Sequence, residues 1–477
     1  MLSSSPHRGV KEMAMYAVSI VLARGISLLA LPLYAHYLTP ADIGQLEILA
    51  TTVVFIDIVA ACSLNESLYR FVGTERNPKR QHKSASTIFT LTLLISFLIS
   101  LLATALMASV TPLAIHQNSA QLVMLFIAVF IGPALLVSMS WLRMQNRATT
   151  FLKISVGCTA IQFVLIVLVL FNAPDITALF AVGVLTTVLQ ALSLQWVNRF
   201  QLCVPSLHQC RTYLRYSLPL MLATLVAFGL SGAEKWVIAA STSLAVLGQY
   251  AVAVKFGLAM CILMQPFGMW WMPKRFNLLE HAGPERATQI TQYGLIYLAM
   301  VCIGVFSFAQ LFIRYALPDV YLPATQLLMM VILTAAGKET FELLNIGLLH
   351  QKRTDRILHL NIISTAIALT IMSLSLWFGM WCVLWGLFIG QWLRALLACY
   401  YSQKTQALPY QLRSLVLFAL ITIGLISVTS PTTSTTVWWS LLIFGPLLVA
   451  LMAYTLGLVT SDTFKRIREP IQSHIRG

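Results

Sequence analysis

The sequence predicts an all-α integral membrane protein of about fourteen transmembrane helices, arranged as two six-helix lobes and two further C-terminal helices. Composition, the spacing of apolar segments and the placement of basic residues predict it. Of 477 residues, 58% are hydrophobic and 10% charged, and the mean hydropathy is +0.81. An ordinary soluble domain carries about 25% charged residues. A soluble fold of this length cannot hide so much apolar side chain, which excludes a soluble enzyme, a nucleic-acid-binding domain and a disordered chain.

A helix crosses the hydrocarbon core with about 20 mainly apolar residues. Segments of that kind run over 13–38, 43–70, 84–110, 120–142, 150–172, 176–198, 212–238, 244–272, 288–313, 323–349, 357–377, 380–402, 413–430 and 437–460. The first is too long for the apolar region of a cleavable signal and carries Arg24 inside it, so it reads as a retained span. Residues 84–142 contain no Asp, Glu, Lys or Arg and hold two spans, with the turn at Thr111–Ser119. Residues 414–461 behave alike, turning at Thr429–Thr436, and the tight pair over 357–402 turns at Gly379. The segment Lys274–Tyr293 mixes charge with apolar residues and reads as an interfacial helix.

The net charge of +15 follows the membrane. With the N-terminus in the cytoplasm, 25 of the 31 Lys and Arg fall on inner connections. Short loops obey this positive-inside bias, so both termini are expected to be cytoplasmic. Trp141, Trp196, Trp270 and Trp271 fall at inner ends and Trp236, Trp438 and Trp439 at outer ends, as interfacial anchors do. No connection exceeds about twenty residues, too short for a catalytic domain of ordinary size. Eight scattered cysteines have no CxxC spacing, nine histidines have no metal spacing, and no phosphate-binding or nucleophile motif occurs on a suitable element. No metal or cofactor is expected.

The two halves echo each other. Gly44-Gln45 near the second span and Gly248-Gln249 near the eighth are offset by 204, and Gln145 and Gln351, after the fourth and tenth spans, by 206. This sets an N-lobe over residues 1–200, a C-lobe over 201–404, and spans 13 and 14 with a tail over 405–477. Six spans per unit is even, so the repeats run parallel about an axis along the membrane normal, with substrate sites near the midplane at their interface.

The opening span followed by Leu38-Thr-Pro-Ala-Asp-Ile-Gly-Gln45 resembles the polysaccharide-export (Wzx-like, O-antigen-type) flippases of the multidrug/oligosaccharidyl-lipid/polysaccharide (MOP) superfamily. The resemblance covers both lobes. It implies a non-enzymatic transporter in the bacterial inner membrane, a monomer, working beside polysaccharide polymerase machinery. The implied activity is translocation of an undecaprenyl-diphosphate-linked oligosaccharide from the cytoplasmic to the periplasmic leaflet by alternating access, with no nucleic-acid partner. Lipid II flippases and ion-coupled multidrug or cation antiporters of the same superfamily are the alternatives. The glycine-and-asparagine-rich opening motifs of the lipid II flippases are absent here.

Ionisable residues at the midplane cost about 2.5–3.5 kcal/mol on insertion scales and face a cavity or a partner. Arg24, Lys255 and Lys338 lie centrally in spans 1, 8 and 10 and are the candidate diphosphate-binding cations, Arg for its planar fork. A salt bridge of Arg24 with Asp57, or of Lys338 with Glu342 four residues on, is the structural alternative. Asp57, at the centre of span 2, is a candidate proton or sodium coupling site, and Glu339 and Glu342 are further acidic candidates. Glu234 and Lys235 approach the outer end of span 7 as a candidate gate latch; adjacent residues on a helix do not face each other, so each needs another partner. Glu66 and Arg70 read as a structural i,i+4 pair, and Arg394 as a side chain reaching to the inner interface. Pro32, Pro133, Pro219 and Pro266 fall within spans and would bend them. Spans 13 and 14 carry no internal charge, as a groove for the polyprenyl tail or as padding would.

Overall fold

The computed structural model describes residues 22, 25–26, 28–73, 75, 77–109, 119–272, 274–351, 353–428 and 434–459. Arg24 and the turns at 111–118 and 429–433 lie outside them. All regular elements among the described residues are helices. After a helical stretch over 28–37 come α1 (Pro40–Ala61), α2 (Leu64–Ser67), a π turn (Leu68–Val72), α3 (Pro78–Ser109), α4 (Ser119–Met144), α5 (Ala148–Asn172), α6 (Ile176–Asn198), α7 (Leu207–Phe228), α8 (Ala233–Ser241) and α9 (Leu244–Trp271). Then follow α10 (Arg275–His281), α11 (Gly283–Ala316), α12 (Ala324–Leu344), α13 (Ile346–His350), α14 (Thr354–Ser373), α15 (Ser375–Phe378), α16 (Trp381–Thr405), α17 (Leu412–Val428) and α18 (Thr435–Thr455).

Eleven helices among the described residues are long and apolar enough to cross a membrane. They make this a multi-pass membrane protein. Of the other expected spans, the first lies largely outside the described residues. The tenth corresponds to α12, whose 21 residues include Lys338, Glu339 and Glu342. The thirteenth is a shorter apolar helix over Leu412–Ser427. The tight pair of spans is present as Asp355–Phe378 and Trp381–Thr405, joined at Gly379 with φ +77°. That left-handed conformation suits glycine because it has no Cβ to clash. Pro133, Pro219 and Pro266 all sit inside helices, joined by Pro446. The interfacial segment resolves into α10 and the polar first turns of α11.

The chain divides into two compact units, Met1–Ala251 with Ser375–Met380, and Val252–Leu374 with Trp381–Gly477. The division falls within α9, so α7 and α8 belong to the first unit, although the repeat in the sequence sets the lobe boundary at residue 200. Unit 1 is built on α4, which packs on α1, α3 and α6. α7 is fastened to it where Ser67 Oγ donates to the Tyr213 carbonyl at 3.1 Å and where Tyr213 joins the core of Leu64, Leu68, Ile88 and Trp141. Unit 2 packs α12 and α14 on α16, and α18 on α11, with Trp438 fully buried against Phe306.

Most residues of the spans are exposed to the surroundings or half-buried, including long rows of Leu, Phe and Trp. In water such a surface would aggregate; in lipid it is the solvent-matched face.

Candidate functional site

The second span is not one helix. α1 begins with a capping box: Asp42 Oδ2 accepts from the Thr39 amide at 2.9 Å, and Thr39 Oγ1 accepts from the Asp42 amide at 3.3 Å. Pro40 fills the first turn, where a missing N–H is harmless. α1 ends at Cys62 and Ser63, both left-handed with φ of 45° and 49°. For residues with a Cβ this conformation is uncommon. It is held in place by the fully buried Leu64 and Leu68 and by the Ser67 bond to α7. The chain then restarts as α2 and the π turn.

This break shapes a cavity of about 1050 Å³ inside unit 1, bounded by residues of α1, α2, α4, α5, α6 and α7. Its polar wall includes Asp57, Asn65, Glu66, Arg143, Thr187 and Gln190, set among apolar residues such as Met139 and Phe151. A large cavity of mostly apolar lining with a few convergent polar groups is the usual form of a ligand site.

Asp57 faces Gly132 on α4. A Cβ there would stand 2.5 Å from Asp57 Oδ2, so a larger residue would push the carboxylate aside. Asp57 Oδ1 is buried without a hydrogen bond, and Asp57 has no ion-pair partner among the described residues. Asn65 Nδ2 donates to Glu66 Oε1 at 2.9 Å, and Arg143 donates to Ser140 Oγ at 3.2 Å. The expected Glu66–Arg70 pair is not formed. The π turn over Leu68–Val72 abandons the spacing that stacks i on i+4, and Glu66 turns to the cavity instead. In the sequence Arg143 reads only as a basic residue of an inner connection, and Thr187 and Gln190 carry no signal, because neutral polar residues occur within many spans.

A second polar cluster ties α1 to α8. Lys235 Nζ donates to Glu47 Oε2 at 2.7 Å, and Trp236 Nε1 donates to Thr52 Oγ1 at 3.3 Å. Phe55 packs on both Phe228 and Trp236. Glu234 is buried, its Oε2 without a hydrogen bond. At the N-terminal ends of α1 and α9 the repeated glycines meet. A Cβ on Gly44 would collide with the Leu244 carbonyl oxygen, and one on Gly248 with that of Pro40.

The other candidate charges among the described residues belong to unit 2. Lys255 on α9 is half-buried and has a partner. Lys338 is exposed and lies beside Glu339, which accepts a hydrogen bond from the Cys261 thiol. Lys338 makes no ion pair with Glu342. Glu342 instead accepts from Asn345 Nδ2 at 3.3 Å; Asn345 Oδ1 accepts from Arg275 Nη1 at 3.3 Å. Arg394 does not reach for an interface. It is 8% exposed, its guanidinium 4.1 Å from the centre of the Phe341 ring, with Glu342 as its electrostatic partner. The ring and the carboxylate together hold the cation inside, where reaching outward would forfeit both. Burial pulls the Arg275 guanidinium below its ordinary value, and Glu342 opposes that shift.

Unit 2 also contains an apolar cavity of about 280 Å³, with walls from α11, α12, α16 and α17, including Leu298, Trp392 and Phe418. Among the described residues no group of His, Cys, Asp and Glu is placed to hold a metal ion.

Apolar spans with charges held inside the bundle define a multi-pass membrane protein. Its fold is that of the MOP superfamily. The family described as "Polysaccharide biosynthesis protein" matches residues 10–276, more than half of the chain, and the protein belongs to that family. No curated protein matches the chain. Among solved structures, the chain is similar to the lipid II flippase MurJ in an inward closed conformation, with TM-score 0.70 and 12% identity over 92% of this chain and 98% of that one. It is similar to an outward-facing multidrug resistance MATE family transporter, with TM-score 0.52 and 15% identity over 84% and 97%. It is also similar to a MOP superfamily transporter from Pyrococcus furiosus, with TM-score 0.51 and 15% identity over 83% and 96%.

Proposed function

We propose that the protein is a flippase that carries a polyprenyl-diphosphate-linked saccharide from the cytoplasmic to the periplasmic leaflet of a bacterial inner membrane. The family match over residues 10–276 carries this reading, because it spans the helices that enclose the unit 1 cavity. Fourteen spans in two six-helix lobes, with both termini cytoplasmic, complete the proposed topology. The head moves through the polar interior by alternating access while the tail stays in lipid. Arg24, Lys255 and Lys338 contact the diphosphate, and Asp57 is the site of proton or sodium coupling. The apolar cavity beside α17 suits a stretch of polyprenyl chain.

Two cargoes fit. The family description favours the repeat unit of a surface polysaccharide. The fold likeness to the lipid II flippase over nearly the whole of both chains favours lipid II, and of the two observations it covers more of the protein. The likeness to MATE family transporters supports cation antiport, for which Asp57 and Glu339 would be the acidic residues.

Depletion of the protein, followed by lipid extraction, tests the proposal. Accumulation of lipid II in the inner leaflet, with arrested wall synthesis, identifies the lipid II cargo. Accumulation of a short undecaprenyl-linked oligosaccharide, with lost surface polymer, identifies the polysaccharide cargo. Unchanged lipid pools, with loss of resistance to several cationic drugs, would overturn the flippase reading in favour of antiport.

A further inference from the structure

Where α12 runs into α13, unit 2 buries two guanidiniums around one carboxylate. Both flank the turn from Phe341 to Asn345: Arg394 lies over the Phe341 ring, and Arg275 donates to Asn345 Oδ1. Arg275 is 7% exposed and Arg394 little more, and the Nε of each is buried without a hydrogen bond. Glu342 acts electrostatically on both. Its hydrogen bond, however, comes from Asn345, and neither guanidinium forms a salt bridge among the described residues. The neighbouring charges are spent elsewhere. Lys338 offsets Glu339 one turn back on α12, and Glu280 of α10 is mostly exposed and faces His350 at 3.2 Å. The turn therefore holds more buried positive charge than negative. The excess persists, because a guanidinium keeps its proton inside a protein.

Other buried groups at this end also donate. Trp271 Nε1, four residues before Arg275, and Gln292 Nε2 on α11 are buried without a hydrogen bond, and α11 packs on both α10 and α12. Excess buried charge in a membrane bundle is costly, and an anion offsets it. A guanidinium only donates, in a planar fork that matches two oxygens of a phosphate. Chloride would balance the charge but would leave the fork unused.

We propose that Arg275 and Arg394 form a site for the phosphate group of a second ligand. The site lies outside the set Arg24, Lys255 and Lys338 proposed for the transported diphosphate and does not depend on the flippase reading. Beside it Lys274 Nζ stands 4.9 Å from the centre of the exposed Trp270 ring, a pairing suited to a membrane interface. The phosphate group there comes from an acidic phospholipid headgroup or from solution, and the test separates the two.

The full chain is melted in neutral maltoside micelles at constant ionic strength. In one arm chloride is replaced stepwise by inorganic phosphate; in the other, phosphatidylglycerol or phosphatidylcholine is added. A ligand of the folded state raises the melting temperature in a saturable way. A rise with phosphatidylglycerol beyond that with phosphatidylcholine identifies the headgroup. A saturable rise with inorganic phosphate, the two lipids being equal, identifies free phosphate. In the responding arm Arg275→Gln and Arg394→Gln are each expected to weaken the apparent affinity at least about tenfold. Glu342→Gln is expected to tighten it about threefold, since it removes the opposing charge. A purely structural Glu342 would lower the melting temperature on substitution and leave the ligand dependence unmoved. Should Arg394→Gln fail to fold, Arg275→Gln and Glu342→Gln decide. No saturable rise in either arm overturns the site, as does a rise retained in Arg275→Gln or one that Glu342→Gln leaves unchanged or weakens.

Discussion

The Lys235–Glu47 bridge allows a quantitative test of how α1 is held to α8. The atoms lie 2.7 Å apart, and each side chain is 19% exposed. At that distance two unit charges attract by roughly 6 kcal/mol in an effective dielectric of about 20. Desolvation of both groups offsets most of this. What remains is the contribution of a hydrogen bond between charged groups, about 1.5–3 kcal/mol. We expect Lys235→Met and Glu47→Gln each to lower stability, and the double variant to lose less than the sum. The coupling energy from the cycle should be about 2 kcal/mol. Equilibrium unfolding in mixed micelles, followed by tryptophan fluorescence, measures it on all four proteins. A coupling below about 0.5 kcal/mol, the value of a solvent-exposed helix pair, would refute the reasoning and reduce the bridge to a surface contact.

Further outcomes follow from single positions. Gly132→Val would drive a branched side chain into the Asp57 carboxylate and is expected to abolish transport in a flipping assay while folded protein is retained. Gly157, in contrast, has nothing within 4 Å of an added Cβ, so Gly157→Ala should raise stability by about 0.5–1 kcal/mol, read as a higher melting temperature. Arg394→Ala removes the cation held over the Phe341 ring and should cost about 0.5–2 kcal/mol beyond its packing, read as a lower melting temperature. Gly379→Ala forces a Cβ into φ +77° and should destabilise the α15–α16 connection by about 1–2 kcal/mol, seen as a lower melting temperature.

The helical membrane fold was legible because its signals are summed over many residues. Hydropathy is averaged over a span, so local irregularity barely moves it, and even the tight pair around Gly379 came through. Positions set by one backbone angle were not legible. Nothing in Cys62-Ser63 announces a left-handed pair, yet that pair ends α1, and the π turn beyond it parts Glu66 from Arg70. Arg394 was misplaced for a different reason. Reaching to the interface is the default for a long cation near a span end, and only tertiary neighbours, here Phe341 and Glu342, reveal a better alternative. The partner of Lys235 was foreseeable only as a need, since a residue 188 positions away leaves no local trace.

The crossing of Gly44 and Gly248 has a genetic consequence. The contact is made by main-chain atoms of α1 and α9, with carbonyl oxygens where any side chain would go. A single base change that alters a glycine codon's meaning to another amino acid yields only larger residues, alanine being the smallest. Neither codon therefore has a conservative neighbour, and drift at these positions cannot proceed by small steps. In a saturation library, surviving clones should retain glycine at both positions by synonymous change alone, while exposed leucines of α3 such as Leu101, Leu102 and Leu106 exchange freely for other apolar residues.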